Sequence, residues 1–391
     1  MWILILNSDF LPIPYGRQEI TAEDEEAVLA ALRSDFLTQG PIVNAFEEAF
    51  ASYIGSKYAV AVSNGTTALH LSALAFNAGP GKKILTTPIT FAASANCILY
   101  CGGEVEFVDI DENTFCIDPD LLERKLSEAP GTYAGIIPVD YAGHSADMEK
   151  IKKIAKKYGL WIIEDACHAP GATFIGEENR SYRCGDGSHA DLTVFSFHPV
   201  KHIASGEGGM ITTNDPILYE KLKILRSHGI VRDVALLKEN HGGWYHEMQQ
   251  LGFNYRLPDL NCALGLSQLK RADEGLKKRR VIAARYDKEL KNPWIKIPET
   301  KNDQHAFHLY VVRSPFRKEL YDYLKGHQIF PQVHYLPVYR HPYWKSLKVW
   351  PVCLKAEEFY SECLSLPMYP SLKDEQLSYV LEKLNGFTPK A

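Results

Sequence analysis

Two residues of the chain have side chains suited to covalent and charge-assisted chemistry. Asp165 follows the apolar run LWIIE (160–164), and Lys201 lies shortly after the apolar run DLTVFSF (191–197). A carboxylate at the end of a buried strand is costly without a cationic partner, such as a protonated ring nitrogen. At ~4 Å and an effective dielectric constant of about 20, such a pair is worth about 4 kcal/mol. Lysine forms imines with carbonyl groups, because desolvation readily lowers its pKa.

The segment SNGTTALH (63–70) has the composition of a phosphate-binding helix start. Gly65 allows a ligand to approach the backbone closely, and the N–H groups of Thr66 and Thr67 would point outward at the helix N-terminus. The alternative is an ordinary helix start capped by threonine. Ser196, at the end of a later strand, could give its hydroxyl to the same phosphate.

Each of these features has an ordinary structural explanation when taken alone. Asp165 could cap a turn, and Lys201 could be a solvated loop residue. Together, and each at a strand end, they predict a phosphate cradle, a carboxylate for a ring nitrogen and an imine-forming lysine. That combination is the binding set for pyridoxal 5′-phosphate (PLP).

The elements that position these residues alternate between strands and helices from residue 45 to residue 215. The predicted strands contain short continuous apolar runs rather than a regular alternation with polar residues: YAVAVS, KKILTTP, EVEFVDI, GIIPVDY, LWIIEDA, DLTVFSF and GGMITTN. Such runs between amphipathic helices indicate an α/β fold with a mainly parallel sheet covered on both faces. Ligands in these sheets bind beyond the carboxyl ends of the strands, which is where the candidate residues lie.

The C-terminal third has a different pattern. Residues from Pro258 to about Leu290 are predicted to form one long, charged helix. After Pro298 we expect a strand at HLYVVRS, a helix at RKELYDYLKGHQ, a strand at FPQVHYL and a final helix at DEQLSYVLEKL. We therefore predict a large domain at 1–257 and, at 258–391, a linking helix with a small α+β domain.

Composition excludes several classes of protein. The net charge of -5 offers no basic excess for a nucleic acid partner. The eight cysteines have no CxxC spacing, so neither a metal site nor a disulfide framework is predicted. The opening MWILIL is too short to span a membrane and lacks the features of a signal peptide. We expect a cytoplasmic protein.

From about Ile13 to Leu384 the sequence resembles the DegT/DnrJ/EryC1/StrS family of sugar aminotransferases. The motifs that carry the resemblance include LTQGPIVNAFEEAFASYIG, SNGTTALHL, TTPITFAASAN, EDACHAPGA, FSFHPVK, SGEGGMITTND and GFNYRLPDLNCALGLSQL. The resemblance implies the PLP-dependent transferase fold type I, in which helices sandwich a mainly parallel sheet and a smaller C-terminal domain follows.

The resemblance also implies a role for each matching residue. Lys201 would form the imine with PLP, Asp165 would pair with the pyridine nitrogen, and His168 would lie near the phenolic oxygen of the ring. Phe91 would stack on the ring face. The cofactor would alternate between PLP and its amino form, pyridoxamine phosphate (PMP).

The phosphate contacts implied by the resemblance come from two subunits. Gly65, Thr66, Thr67 and Ser196 would hold the phosphate within one chain. Asn254 of GFNYR would reach it from the neighbouring subunit. The resemblance therefore implies a homodimer with shared active sites.

Several motifs (VDYAGHSAD, SFHPVK, RSHGI and HYLPVY) are most similar to members of the pseudaminic acid pathway. Those members use L-glutamate, which becomes 2-oxoglutarate, to aminate C4 of a UDP-linked 4-keto-6-deoxy-N-acetylhexosamine. The product is UDP-4-amino-4,6-dideoxy-N-acetyl-β-L-altrosamine. The resemblance places these residues at the substrate: Thr38, Gln39, Tyr141, Arg256, His334 and Tyr335. His144 and Pro170 depart from the usual family residues.

Three alternatives remain. One is a C4 aminotransferase for another nucleotide keto-sugar, of the bacillosamine or perosamine type. A second is a sugar dehydrase, whose relatives carry histidine at the imine position; His202 follows Lys201, but the spacing to GEGG favours Lys201. The third is a regulatory homologue without activity, which would be expected to lack Lys201 or Asp165.

Overall fold

The computed structural model describes residues 12–299 and 304–390, so the opening MWILIL lies outside the described residues. The strands are β1 (Ile13–Pro14), β2 (Tyr58–Val62), β3 (Lys83–Thr86), β4 (Glu104–Phe107), β5 (Tyr133–Ile137), β6 (Trp161–Asp165), β7 (Thr173–Ile175), β8 (Ser181–Arg183), β9 (Leu192–Ser196), β10 (Gly209–Thr213), β11 (Ile230–Val231), β12 (Glu247–Met248), β13 (Tyr310–Arg313), β14 (Ile329–Phe330) and β15 (Cys363–Leu366).

The α-helices lie between and after these strands. They are α1 (Ala22–Leu32), α2 (Pro41–Ile54), α3 (Gly65–Ala75), α4 (Ala93–Tyr100), α5 (Pro119–Glu128), α6 (Met148–Tyr158), α7 (Pro216–Arg226), α8 (Asp259–Leu269), α9 (Ala272–Glu289), α10 (Arg317–Gly326), α11 (Pro342–Leu347), α12 (Leu354–Glu362) and α13 (Asp374–Gly386).

A seven-stranded sheet in the order β2-β10-β9-β6-β5-β3-β4 forms the centre of the molecule. β10 runs antiparallel to its neighbours β2 and β9, and every other pair in this sheet is parallel. Apart from the edge strand β4, in which only Val105 is buried, most residues of these strands are buried, as expected when helices cover both faces. The predicted α/β class with a mainly parallel sheet is confirmed.

The helix α6 illustrates how the sequence specifies these covering elements. Asp147 accepts a hydrogen bond from the N–H of Lys150 at 3.0 Å and caps the helix. Apolar residues recur at helical spacing and are buried, among them Ile151 and Ile154. Gly159 ends the helix with a φ of 70°, a conformation that glycine adopts at little cost.

The C-terminal third contributes a second core around Ile282, Tyr310 and Leu364. β13 and β15 pair there in antiparallel fashion, and the N-terminal β1 pairs with β14. Other C-terminal residues, including Tyr339 and Phe359, pack into the core of the central sheet. The boundary between 257 and 258 stays a prediction.

The single long helix predicted from Pro258 to about Leu290 is wrong. The chain breaks at Arg271, whose φ of -112° and ψ of 14° are not helical, and α8 and α9 lie on either side. Arg271 donates to the buried carboxylate of Asp24 at 2.7 Å, and Gln268 donates to it at 2.8 Å. These hydrogen bonds join α1 to the break between α8 and α9, and Asp24 and Arg271 lie 247 positions apart in the sequence. A local sequence pattern therefore does not predict them.

The strand predicted at FPQVHYL is also largely wrong. Only Phe330 belongs to a strand, β14, and the chain then turns toward the edge of the central sheet. Gln332 still pairs with Ser365 of β15 in an isolated antiparallel bridge. Beyond it, the backbone carbonyl of His334 accepts a hydrogen bond from the hydroxyl of Tyr141 at 2.5 Å, a contact to the predicted large domain. Within 12–299 and 304–390, no helix is long and apolar enough to cross a membrane.

Candidate active site

A cavity of about 430 Å³ opens at the carboxyl edge of the central sheet. It is lined by residues from the ends of β6 and β9, the start of α3 and the C-terminal third. Asp165, Ser196 and Lys201 all face this one cavity. The parallel strands bring these residues together, because their carboxyl ends meet at the same edge.

One side of the cavity is the N-terminus of α3. Asn64 caps this helix by accepting from the N–H of Thr67 at 2.9 Å. Gly65 and Thr66 line the cavity, and the first N–H groups of a helix have no partner within it. A Cβ on Gly65 would lie 3.0 Å from the Cβ of Ser196, so only glycine keeps this corner open. The corner suits an anion.

Asp165 lies at the end of β6 and is 5% exposed. Its Oδ2 accepts from the hydroxyl of Ser94 at 2.6 Å, and its Oδ1 accepts from the N–H of Cys167 at 3.2 Å. Both donors are neutral. Among the described residues no cation forms an ion pair with this carboxylate, so it is free to bind a cationic ligand.

Lys201 lies on the loop after β9, at the floor of the cavity. Its Nζ is 3.5 Å from the Nε2 of His308. Burial lowers the pKa of the lysine from its ordinary value, although Cys167 and Asp165 oppose this shift. The amine is therefore more nucleophilic near neutral pH than an exposed lysine.

His202, the residue that follows Lys201, does not line the cavity formed by the described residues. Its Nε2 lies 2.8 Å from the carbonyl oxygen of Ala306. Of these two neighbours only Lys201 lines the cavity, and its role as the imine-forming residue stays a prediction.

His168 is buried beside the cavity between two hydrogen-bonding groups. Its Nδ1 accepts from the N–H of Ala142 at 3.2 Å, so the proton of the neutral ring is on Nε2. Nε2 lies 3.2 Å from the hydroxyl of Tyr335, to which it donates. Burial and the nearby Lys201 lower the pKa of His168 well below its ordinary value, so the ring stays uncharged.

Comparison with known families agrees with this geometry. The model of the DegT/DnrJ/EryC1/StrS aminotransferase family matches residues 18–385, nearly the whole chain. The chain belongs to this aminotransferase family. The resemblance noted in the sequence is confirmed.

Two curated relatives of this aminotransferase align over nearly their full length. UDP-4-amino-4,6-dideoxy-N-acetyl-beta-L-altrosamine transaminase of Campylobacter jejuni is 39% identical over 385 residues, which cover 97% of this chain and 98% of that protein. Spore coat polysaccharide biosynthesis protein SpsC of Bacillus subtilis is 38% identical over 390 residues, which also cover 97% and 98%.

Two solved structures superpose closely on this aminotransferase. Helicobacter pylori PseC, an aminotransferase involved in the biosynthesis of pseudoaminic acid, gives a TM-score of 0.86 at 34% identity, covering 96% of this chain and 98% of that chain. The PLP-form of Spr1654 from Streptococcus pneumoniae gives 0.85 at 28% identity, with coverage of 96% and 98%.

The residues of this aminotransferase fit PLP in three respects. The open corner between Gly65 and Ser196 suits the phosphate, Asp165 is a buried carboxylate in need of a cation, and Lys201 offers a buried amine. Phe91 is 62% exposed although it lines the cavity, and an exposed aromatic face suits ring stacking.

Two predicted ligands lie just behind the cavity wall. Thr67 uses its hydroxyl in the cap of α3, where it donates to the carbonyl of Asn64 at 2.8 Å. Tyr141 is fully buried, with its hydroxyl bound to His334. Neither side chain lines the cavity that the described residues form. Their direct contacts to phosphate and substrate stay predictions.

The other predicted substrate and cofactor residues divide into two groups. His334 and Tyr335 line the cavity, and burial lowers the pKa of His334 to about 3. Thr38 and Asn254 are exposed, and Arg256 is partly exposed; none of the three lines the cavity of its own chain. The contacts of the second group to substrate and to another subunit stay predictions.

Sequence reasoning missed two residues that contact the central pair. Ser94, at the start of α4, binds Asp165, and His308, just before β13, lies against Lys201. TTPITFAASAN ends a predicted strand and starts a helix, so the position of Ser94 just after a strand could have identified it, as it did the other strand-end residues. No such position identifies His308, because it belongs to the predicted small domain and not to the central sheet.

Proposed function

We propose that this chain is a PLP-dependent aminotransferase that moves an amino group from L-glutamate to C4 of a UDP-linked 4-keto-6-deoxy-N-acetylhexosamine. The products are 2-oxoglutarate and UDP-4-amino-4,6-dideoxy-N-acetyl-β-L-altrosamine. The observation that carries the cofactor assignment is the cavity that holds Asp165, Ser196 and Lys201 together. The 39% identity to the altrosamine transaminase supports the choice of sugar.

In this proposal each residue of the cavity has one task. The N-terminus of α3 and the hydroxyl of Ser196 bind the phosphate. PLP, when bound, supplies an electrophilic carbonyl carbon and an electron-withdrawing ring. Asp165 keeps the ring nitrogen protonated, because an ion pair with a buried carboxylate favours the charged form. The hydroxyl of Ser94 keeps that carboxylate oriented.

Lys201 is the residue that moves protons. When free, its amine would take the proton from the α-carbon of glutamate and deliver it to the cofactor carbon that receives the amino group. In the second half of the cycle it would carry a proton in the opposite direction, from that carbon to C4 of the sugar. His168 and Tyr335 are neutral and hydrogen-bonded to each other, so they orient ligands without competing for the proton.

The proposal includes a homodimer with shared sites. Asn254 is exposed on its own chain and lies shortly after β12, the second strand of the small β11–β12 pair. Its placement away from the cavity supports a role at the phosphate of a second subunit. The proposed place of action is the cytoplasm, where nucleotide sugars are made.

Product analysis tests the proposal. The holoenzyme is incubated with L-glutamate and with UDP-linked 4-keto-6-deoxy-N-acetylhexosamines of the L-arabino and the D-xylo configuration, and the amino sugars are identified by NMR. We expect turnover of the L-arabino isomer to the altrosamine product. Preferred turnover of the D-xylo isomer would assign a bacillosamine-type reaction. No amino transfer to either isomer or to a GDP-linked 4-keto sugar would contradict the aminotransferase assignment itself.

A further inference from the structure

His308 lies where the C-terminal third meets the active-site cavity. Its ring lines the cavity, although the residue is only 4% exposed. Its Nε2 lies 3.5 Å from the Nζ of Lys201, and its ring centroid lies 4.3 Å from that of His168. None of the steps in the proposed function uses this imidazole, although it lies within 3.5 Å of the reacting amine.

The backbone around His308 is held from two sides. Arg279 on α9 is buried and donates to the carbonyl oxygens of Phe307 and His308 at 3.1 and 3.3 Å. The N–H of Leu309 donates to the carbonyl of Ala142 at 3.1 Å. The ring therefore has a defined position relative to Lys201, as a positioning role requires.

The charges around His308 keep its ring neutral. The titratable and charged groups that face it are Lys201, His168, His202 and Arg279, all of them cationic or neutral. Burial, first of all, and these neighbours lower the pKa of His308 well below its ordinary value. A neutral imidazole has one N–H donor and one acceptor nitrogen.

The proton of this neutral ring belongs on Nε2. Nδ1 is buried and has no hydrogen-bond partner among the described residues. A buried N–H without a partner is rarer and costlier than an acceptor without one. With the proton on Nε2, the unpartnered Nδ1 is an acceptor, and the N–H faces Lys201.

We propose that His308 is a positioning residue for Lys201, whose free amine accepts a hydrogen bond from Nε2–H and is thereby kept uncharged and in place to attack a carbonyl group. Asp165 and Cys167 favour the charged amine, whereas burial and Arg279 oppose it. The hydrogen bond from His308 acts in the same direction as burial and Arg279, because it stabilises the uncharged amine of Lys201. The inference rests on the role of Lys201 in the proposed function.

Labelling of Lys201 in the full-length apoenzyme tests the inference. Cyanate carbamoylates only uncharged amines, and mass spectrometry measures the rate at Lys201 near neutral pH. We expect His308→Phe, which fills the ring volume without a donor, to slow this rate about fivefold, the equivalent of one hydrogen bond of about 1 kcal/mol. His308→Gln, whose amide can donate from a similar position, is expected to stay within about twofold of the wild type.

The control is His327→Phe, the same substitution at a histidine that does not line the cavity and whose ring lies against the carbonyl of Tyr323. It should leave the labelling rate unchanged. An unchanged or faster rate in His308→Phe would overturn the inference, and so would equal slowing in the Phe and Gln variants. The reaction of cyanate with Lys201 requires neither PLP nor sugar. A negative labelling result would therefore overturn the role of His308 without bearing on the proposed substrate.

A second measurement does not depend on the folding of the His308 variants. Histidine-selective ¹⁵N NMR of the apoenzyme should show a neutral Nε2–H ring whose Nε2 signal shifts in Lys201→Met. A Nδ1–H tautomer, or no shift of any histidine in Lys201→Met, would overturn the inference.

Discussion

The hydroxyl of Ser94 donates a hydrogen bond of 2.6 Å to Oδ2 of Asp165. Ser94 is fully buried, and the hydroxyl of Thr90 lies 2.7 Å from its own, so both side chains are oriented. Because Ser94 is neutral, it positions the carboxylate without cancelling its charge. Asp165 therefore remains available to a cationic ring nitrogen.

Ser94→Ala should weaken binding of PLP about tenfold. The change removes one hydrogen bond to a charged group, worth about 1.5 kcal/mol. Titration of the apoenzyme with PLP, followed by absorbance, measures the affinity. Ser72→Ala is the matched control, because Ser72 is buried away from the cavity and its hydroxyl donates to the carbonyl of Ala68 within α3. Equal affinity in the two variants would contradict the assigned role of Ser94.

Lys201→Ala should abolish the visible absorbance of the PLP imine and lower turnover on the order of 10³-fold or more, because the chain then lacks its proton-moving amine. Absorbance spectra and the formation of 2-oxoglutarate from glutamate measure the two effects. Lys82→Ala, at an exposed lysine, should change neither. An imine band retained without Lys201 would refute its role.

Gly65→Ala should lower the affinity for PLP about tenfold and leave the fold intact. The added Cβ would lie 3.0 Å from the Cβ and 3.3 Å from the hydroxyl of Ser196, in the corner assigned to the phosphate. Gly326→Ala, with no atom within 4 Å of the added Cβ, is the control. If inorganic phosphate and PLP bound Gly65→Ala as tightly as the wild type, the corner would not be the phosphate site.

Glu164→Gln should remove part of the pH dependence of stability. Glu164 and Asp140 are buried with carboxylate oxygens within 4.8 Å of each other and of the Cys184 sulfur. Burial raises both pKa values, that of Glu164 to about 7, and their mutual repulsion adds to the shift of Asp140. The folded state thus keeps a proton that the unfolded state loses.

The sign follows from that difference. Stabilisation by the proton retained on Glu164 is complete below pH about 4.5 and is lost as the pH rises through its folded-state pKa of about 7. Each unit of pKa shift corresponds to about 1.4 kcal/mol. Urea unfolding between these pH values should show a falling free energy of unfolding in the wild type and a flatter profile in Glu164→Gln. Glu123→Gln, at an exposed ion pair with Lys157, should keep the wild-type slope. A wild-type slope in Glu164→Gln would contradict the raised pKa of Glu164 in the folded state.

The proposed contact of Asn254 across subunits can be tested with mixed dimers that contain one Lys201→Ala chain and one Asn254→Asp chain. Lys201→Ala and Asn254→Asp are each expected to be inactive, the second because a carboxylate would repel the phosphate. If the site combines Lys201 of one chain with Asn254 of the other, co-expression of the two variants restores about a quarter of the activity, since half of the dimers are mixed and each has one intact site. No recovery in verified mixed dimers would mean that Asn254 acts within its own chain.

Local pattern was sufficient for the central sheet and for the residues at its carboxyl edge. Asp165, Ser196 and Lys201 follow continuous apolar runs, and such runs between amphipathic helices specify parallel strands whose ends meet. The same reasoning failed at Arg271 and at FPQVHYL. In both places a contact to a residue distant in sequence overrides the local preference.

The sequence by itself thus determined the fold class, the family and the central lysine and carboxylate, because these depend on residue types repeated at strand ends. Only the tertiary structure decided what holds them. Ser94 reaches Asp165 across the edge of the sheet, and His308 reaches Lys201 from the C-terminal third. Hydrogen bonds between distant segments depend on how the elements pack, and no spacing along the chain encodes that directly.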